Sequence, residues 1–280
     1  MTVTHDFETH HTTGGSGLAL DVFRPSAGSR RCAVVVLHGG GWRSGSRELV
    51  HTRAAALAAH GFTAVAAQYR LLDVAAWPAA LSDVAEACSW VRESADTLEI
   101  APDYLVVQGH SAGAHLALMA GTFDAELRPA AVVAYYPAIG FHDVPAPAAG
   151  SLSLPLEMDD VGRVPSWMLF PAGAGQADLR AASPIDLMQK DFPPTIIQHG
   201  TADKAIDARS SMALHQRLAD LGVPADLHLY SGQNHEFDRA PSMTTTTVSA
   251  TVAFLERFVT DRERQTAEAQ RFPFPPSPDA

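Results

Sequence analysis

Ser111 stands between two glycines in Gly109-His110-Ser111-Ala112-Gly113, behind the apolar run Tyr104 to Val107 and ahead of the helix-forming stretch Ala112 to Ala120. The pattern predicts a buried strand, a sharp turn and a helix, with the serine at the turn. Glycines on either side make a strained serine backbone sterically possible. Such an elbow holds the hydroxyl clear of the chain and aims the unpaired N–H groups of the helix start at whatever the serine attacks. The chemistry implied is nucleophilic attack on a carbonyl. An ordinary glycine-rich turn reads the same way, so the serine needs partners.

A serine hydroxyl is a weak nucleophile near neutral pH and requires a base within hydrogen-bond reach and a third group that orients the base. In doubly wound sheets the reacting groups gather beyond the carboxyl ends of the strands. Asp203 lies three residues past a strand ending at Gly200, which makes it the candidate acid. Asp207 opens the next helix and suits capping, and Asp178, Asp186 and Asp191 belong to an irregular stretch. Of the 13 histidines, His38, His110 and His199 close apolar strands and read as backbone partners near the site. His115 and His228 read as packed. His235 sits in Ser231 to Phe237, a loop after the last strand that is long enough to swing back over the strand ends. It is the candidate base.

A second glycine cluster, His38-Gly39-Gly40-Gly41-Trp42, ends the apolar run Cys32 to Leu37. Consecutive glycines bring bare N–H groups close to a ligand, and Trp42 anchors the loop. No HExxH pattern, Cys/His cluster or phosphate loop competes, so neither a metal nor a cofactor is expected.

Strand and helix patterns must place these residues. Val3 to Thr9 and Leu18 to Arg24 alternate weakly around the cluster Gly14 to Gly17, predicting a hairpin. Helix is expected over Ser46 to His60, strand over Phe62 to Gln68, and helix from Pro78 to about Arg92, where Leu81, Val84, Cys88 and Val91 recur at helical spacing. Ala131 to Tyr136, Thr195 to Gln198 and Asp226 to Tyr230 read as further strands. Helices are expected near Ala208 to Leu221 and over Thr247 to Val259. The alternation predicts an α/β fold with a parallel sheet covered on both faces. From Pro137 to Pro193 prolines break the pattern, and a stretch of that length suggests a lid. Within it, Trp167-Met168-Leu169-Phe170 either lines a pocket or plugs the core. From Asp261 the chain is expected to lack structure, ending Phe272-Pro273-Phe274-Pro275-Pro276.

With 280 residues the chain suffices for one domain. Its net charge of −11, without a basic cluster, argues against nucleic acid and anionic membranes and for a neutral or cationic small molecule. Cys32 and Cys88 fall in a predicted strand and helix and read as reduced core residues. Met1 to His11 is polar and no run of ~18 apolar residues occurs, so a cytoplasmic location is expected.

The motifs resemble those of α/β-hydrolases, specifically the hormone-sensitive-lipase-like esterases and the neighbouring arylformamidase and feruloyl-esterase-like group. His38 to Trp42 is similar to their oxyanion loop, Gly109 to Gly113 to their elbow, and His199-Gly200-Thr201-Ala202-Asp203 to their acid loop. Tyr69-Arg70-Leu71 and Trp77 to Asp83 resemble their YRL and FPAALxD segments. The likeness covers roughly residues 30 to 260, and the order Ser111, Asp203, His235 is the one expected of the superfamily. It implies a mostly parallel eight-stranded sheet, one domain over 1–260, a small lid insertion about 138–192 and a tail over 261–280. It implies oxyanion donors at Gly40, Gly41 and Ala112 and a small-molecule ester or amide as substrate; Trp42, His110, Trp167 and Phe170 are the expected substrate contacts. A homodimer is compatible with it. With 37 residues before His38, a helical cap there is expected to be small or absent. Lys204 after Asp203 and Glu236 after His235 depart from the pattern and bear on pH profile and substrate.

The implied reaction is hydrolysis of a carboxylic ester through an acyl-enzyme. An amidase or formamidase with the same three residues, suggested by the likeness of Ser111 to Ala117 and Gly41 to Ser46 to arylformamidases, is the first alternative. A lyase or dehydratase acting on a biosynthetic intermediate is the second. A non-catalytic receptor on this fold would have lost the histidine, which is present here.

Overall fold

The computed structural model describes residues 6–12, 17–26, 28–144, 146–147 and 156–271. Its central sheet has eight strands in the order β1-β2-β4-β3-β5-β6-β9-β10. These are β1 (Glu8–His11), β2 (Ala19–Phe23), β3 (Ala33–Leu37), β4 (Thr63–Ala67), β5 (Leu105–His110), β6 (Ala131–Tyr135), β9 (Thr195–Gly200) and β10 (Ala225–Tyr230). The first two form the expected antiparallel pair, and β2 also runs antiparallel to β4. From β4 to β10 every neighbour is parallel. The start of the predicted first strand, before Asp6, and the turn Gly14 to Ser16 lie outside the described residues.

Alternation along the strands divides the core. Ala33, Val35 and Leu37 join one apolar cluster with Val84, Cys88 and Val91 of α2 (Ala79–Glu93), Leu116 of α4 (Ala112–Ala120) and Leu214 of α7 (Arg209–Asp220). Val34 and Val36 face the other way, onto Leu57 of α1 (His51–Ala59) and Val248 and Leu255 of α8 (Pro241–Leu255). A strand buried on both faces needs an unbroken apolar run, which is what β3 and β5 supply. Cys32, immediately before β3, and Cys88 are buried and free. A short helix α3 (Ala95–Leu98) links α2 to β5.

The chain winds from β3 to β4 on one side and from β5 through β6 and β9 to β10 on the other. The direction therefore reverses between β3 and β5, and a crevice opens there at the carboxyl ends. Both glycine clusters follow these two strands.

The insertion is not uniformly irregular. It carries a parallel pair, β7 (Phe141–His142) and β8 (Val164–Pro165), a 3-10 turn at Ser166–Met168, and the short helices α5 (Gln176–Ala181) and α6 (Pro184–Leu187). Three further expectations need correction. The helix expected over Ser46 to His60 begins as a 3-10 turn, Arg47–Val50. The last main helix starts at Pro241 rather than Thr247: a proline suits the first helical position, and the hydroxyls of Thr245, Thr246 and Thr247 donate back to the carbonyls of Pro241, Ser242 and Met243. After a π-helical turn at Glu256–Thr260, the tail forms α9 (Arg262–Arg271), a polar segment of good helix formers. Phe272 to Pro276 lies outside the described residues. No helix among the described residues is long and apolar enough to cross a membrane.

Candidate active site

Ser111 has φ 54° and ψ −116°, a conformation that side-chain-bearing residues rarely adopt. The glycines around it are required by space. A Cβ on Gly109 would sit 2.0 Å from the Gly113 carbonyl oxygen, and one on Gly113 would sit 2.4 Å from that of His38. The Ser111 N–H donates to the Tyr135 carbonyl at 3.0 Å, tying the turn to β6. Its carbonyl accepts from the N–H groups of Ala114 and His115 at the start of α4.

Three side chains meet at this rim. The Ser111 hydroxyl lies 3.0 Å from His235 Nε2, and His235 Nδ1 donates to Asp203 Oδ2 at 2.7 Å. Asp203 Oδ1 accepts from the N–H groups of Ala205 and Ile206 at 2.8 and 2.9 Å. Burial alone would raise the Asp203 pKa. Hydrogen bonds from His199 and His235, the charge on His235 and the Ile206 N–H outweigh burial and hold the carboxyl well below the usual range. The carboxylate therefore stays ionised and fixes the imidazole with Nδ1 protonated, leaving Nε2 to accept.

Of its supports, His199 was read for a different role in the sequence, and Ser211 and Asn234 were not singled out there. His199 was expected to bond backbone; it does so at Ile206 O, 3.0 Å away, but the same Nε2 also lies 3.2 Å from Asp203 Oδ2. Ser211 donates to its other nitrogen at 2.6 Å. Asn234 Oδ1 accepts from the N–H groups of Lys204 and His235, at 2.9 and 2.8 Å, and so joins the acid loop to the histidine loop. The Asn next to His235 is a signal available in sequence, but its partner is not. Gly200 permits the approach, since a Cβ there would lie 2.3 Å from the Gln233 carbonyl oxygen.

The first glycine cluster faces the serine from β3. His38 Nδ1 donates to the Gly39 carbonyl at 2.7 Å, its ring stacks on Tyr69 at 4.2 Å, and the Tyr69 hydroxyl donates to the His38 carbonyl. Gly40 has φ 122°, and its carbonyl accepts from the N–H groups of Arg43 and Ser44. Among the described residues no acceptor takes a hydrogen bond from the N–H of Gly40, Gly41 or Ala112. Gly40 and Gly41 line the same cavity as Ser111 and His235. Unpaired donors around a nucleophile are what an oxyanion requires.

That cavity measures about 210 Å³ and is mostly apolar, walled by Leu156, Val164, Met168 and Ile206, with Trp42 at its side and Glu236 as its one further charged residue. Trp42 is buried and meets His115 edge-on at 5.2 Å. His115 is packed as expected and bonds the Ala182 carbonyl. The other expected substrate contacts fall elsewhere. The 3-10 turn at Ser166–Met168 brings Met168 to the cavity, while Trp167 and Phe170 pack against the apolar cluster beside it. His110 is buried, stacks on Tyr135 and lies 3.2 Å from Asp238 Oδ2. It lines a neighbouring polar cavity of about 320 Å³, which shares Glu236 with the serine's cavity, and is not among the residues that line the latter. Arg43 Nη2 donates to the carbonyls of Trp167 and Met168, fastening the insertion to the oxyanion loop.

The model of the BD-FAE family matches residues 20–218, more than two thirds of the chain. The chain is 28% identical to Esterase LipQ of Mycobacterium tuberculosis over 257 residues, 86% of this chain and 59% of that protein. It is 29% identical to an acetyl esterase of Salmonella paratyphi B over 209 residues, 72% of this chain and 64% of that one. It spans 52–59% of the length of the M. tuberculosis relatives it matches. Among solved structures, esterase 2 of Thermogutta terrifontis phosphonylated by sarin superposes with a TM-score of 0.74 at 23% identity, covering 91% of this chain and 95% of that one. Its butyrate-bound form gives 0.71 at 22%, with the same coverage.

Proposed function

The chain belongs to the BD-FAE family, and on that premise we propose that it is a serine carboxylesterase acting on esters with a short acyl group. The observation that carries the reading is the unbroken hydrogen-bond chain from Ser111 through His235 to Asp203, ending in an apolar cavity beside unpaired backbone donors. The names of the esterase relatives support the bond type.

Ser111 Oγ attacks the ester carbonyl while His235 Nε2 takes its proton. The carbonyl oxygen becomes an oxyanion and is met by the N–H groups of Gly40, Gly41 and Ala112. Each such donor is typically worth ~3 kcal/mol in the transition state. Collapse of the tetrahedral species breaks the bond to the alcohol, which leaves with the proton from His235. Water, deprotonated by the same imidazole, then attacks the acyl-serine, and Ser111 regains its proton as the acid departs. Asp203 remains ionised throughout and stabilises the imidazolium.

A cavity of about 210 Å³ lies below the ~300–1,000 Å³ usual for drug-sized ligands, which favours acetyl to butyryl chains over long ones. The butyrate bound to the Thermogutta enzyme supports the same size class. Steady-state kinetics on p-nitrophenyl acetate, butyrate and laurate, beside a formanilide, test the proposal. The short esters should be hydrolysed with the highest kcat/KM. A formanilide preferred over every ester would overturn the ester reading in favour of a formamidase.

A further inference from the structure

A second carboxylate lies behind the histidine. Asp238 follows His235 by three residues, in the 3-10 turn Phe237–Arg239, and is buried. Its Oδ2 accepts from Arg53 Nη2 at 2.6 Å and its Oδ1 from the Tyr136 hydroxyl at 2.5 Å. Arg53, buried on α1, also donates to the Tyr135 hydroxyl, Thr247 Oγ1 and the Asp238 carbonyl. The group thus clamps α1, the ends of β5 and β6, the histidine loop and α8 around one point.

Tyr136 carries this clamp to the imidazole. It has φ 39°, a backbone state that a bulky residue holds only when its surroundings impose it. Its ring centroid lies 4.5 Å from that of His235, tilted by 56°. Asp238 therefore grips the phenol of a ring whose body packs on the base.

Resting on the esterase reading above, we propose that Asp238 and Tyr136 are positioning residues for His235. The carboxylate holds the ring against the imidazole, keeps it between Ser111 and Asp203, and favours the imidazolium that forms when Ser111 gives up its proton. The face of an aromatic ring attracts a cation, so a ring held in place acts on the charged form of the base. Other groups facing His235 are Asp203, with His199 behind it, on the acid loop and Glu236 on its own loop, the latter paired with Arg239. His110, on β5, is neutral near pH 7, because burial lowers its pKa to about 4. Arg53 is matched by Asp238.

A buried Arg–Asp pair acting only as a structural bolt predicts a loss of Tm and nothing else. Tyr136→Phe keeps the ring and removes the hydroxyl; Tyr136→Leu removes the ring. On p-nitrophenyl acetate, Tyr136→Phe should lower kcat about tenfold with KM within about twofold. Tyr136→Leu should lower kcat further and move the acidic midpoint of the kcat/KM profile down by about half a pH unit, because the imidazolium loses its support. Asp238→Asn should follow Tyr136→Phe in kcat and also lower Tm, since Arg53 loses its counter-ion. Should Asp238→Asn fail to fold, the Phe variant decides. Unchanged kcat and midpoint in both Tyr136 variants, with turnover still dependent on Ser111, would overturn this proposal alone. Full turnover by Ser111→Ala would overturn the esterase mechanism and this proposal together.

Discussion

The hydroxyl of Ser111 and the imidazole of His235 meet at 3.0 Å across 124 residues of sequence. Their strands, β5 and β10, are three positions apart in the sheet, a separation of roughly 14 Å at the usual strand spacing. The loop after β10 must therefore reach back across β9 and β6, and its course is set by what it bonds on the way. Asn234, with one oxygen on both Lys204 N–H and His235 N–H, is the main tie. Asn234→Ala should lower kcat on p-nitrophenyl acetate about tenfold and stability by ~1–2 kcal/mol, read by kinetics and urea unfolding. Wild-type kcat in this variant would show that the loop holds its shape without the amide.

Gly113 and Gly41 are glycine for different reasons. Gly113→Ala places a Cβ 2.4 Å from the His38 carbonyl oxygen, so backbone must move, and the variant should lose more than ~3 kcal/mol or fail to fold. A Cβ on Gly41 meets nothing within 4 Å, but its φ of 59° is strained for alanine. Gly41→Ala should therefore cost only ~1–2 kcal/mol while reducing kcat, as the donor at that position shifts. Thermal melts and kinetics on the two purified variants separate the cases.

Acid should destabilise the protein well above the carboxylate range. Burial lowers the pKa of His38, His110 and His115 to about 4 each. His38 Nε2 and His115 Nδ1 are buried without a partner, so protonation there strands a charged N–H. The unfolded chain binds these protons more readily, so full stability holds above pH ~6.5 and falls as pH drops toward 4, by up to ~1.4 kcal/mol per pH unit per histidine. Asp203 works in a lower window. Its depressed folded pKa contributes stability above pH ~4 that is lost below it. Urea unfolding from pH 7 to pH 4 should show the histidine slope, and His115→Gln should flatten it by about one third. A flat profile above pH 4.5 would contradict this.

Met168 and Leu156 line the cavity proposed to take the acyl group. Met168→Ala should raise the ratio of kcat/KM for p-nitrophenyl hexanoate over acetate about tenfold, the scale at which a pocket senses a methylene or two. If the ratio does not change, the acyl chain lies elsewhere.

Much of the fold was legible because its determinants are local. β3, β5 and α4 follow from apolar runs and the glycines that end them, and the rule placing chemistry at the carboxyl ends singled out Asp203 and His235. Contacts between distant segments were not legible. Asp238 lies three residues from His235, yet only the structure shows Arg53 and Tyr136 closing on it. His110 borders the serine in sequence, but its ring is held by the stack on Tyr135 and by Asp238. In the insertion, prolines hide any period, so Met168 could not be told from Trp167 and Phe170 as the cavity residue. The tail misled in the other direction, since its proline-rich end obscured ten helix-forming residues before it.

The most direct measurement is covalent labelling of the native protein with a fluorophosphonate, followed by peptide mass mapping, beside the kinetics of Ser111→Ala. The account predicts one phosphonyl group on Ser111, loss of p-nitrophenyl acetate hydrolysis in step with labelling, and a Ser111→Ala protein with unchanged Tm whose kcat falls by about 10⁵–10⁶. A label carried by another residue, or wild-type turnover in Ser111→Ala, would contradict it.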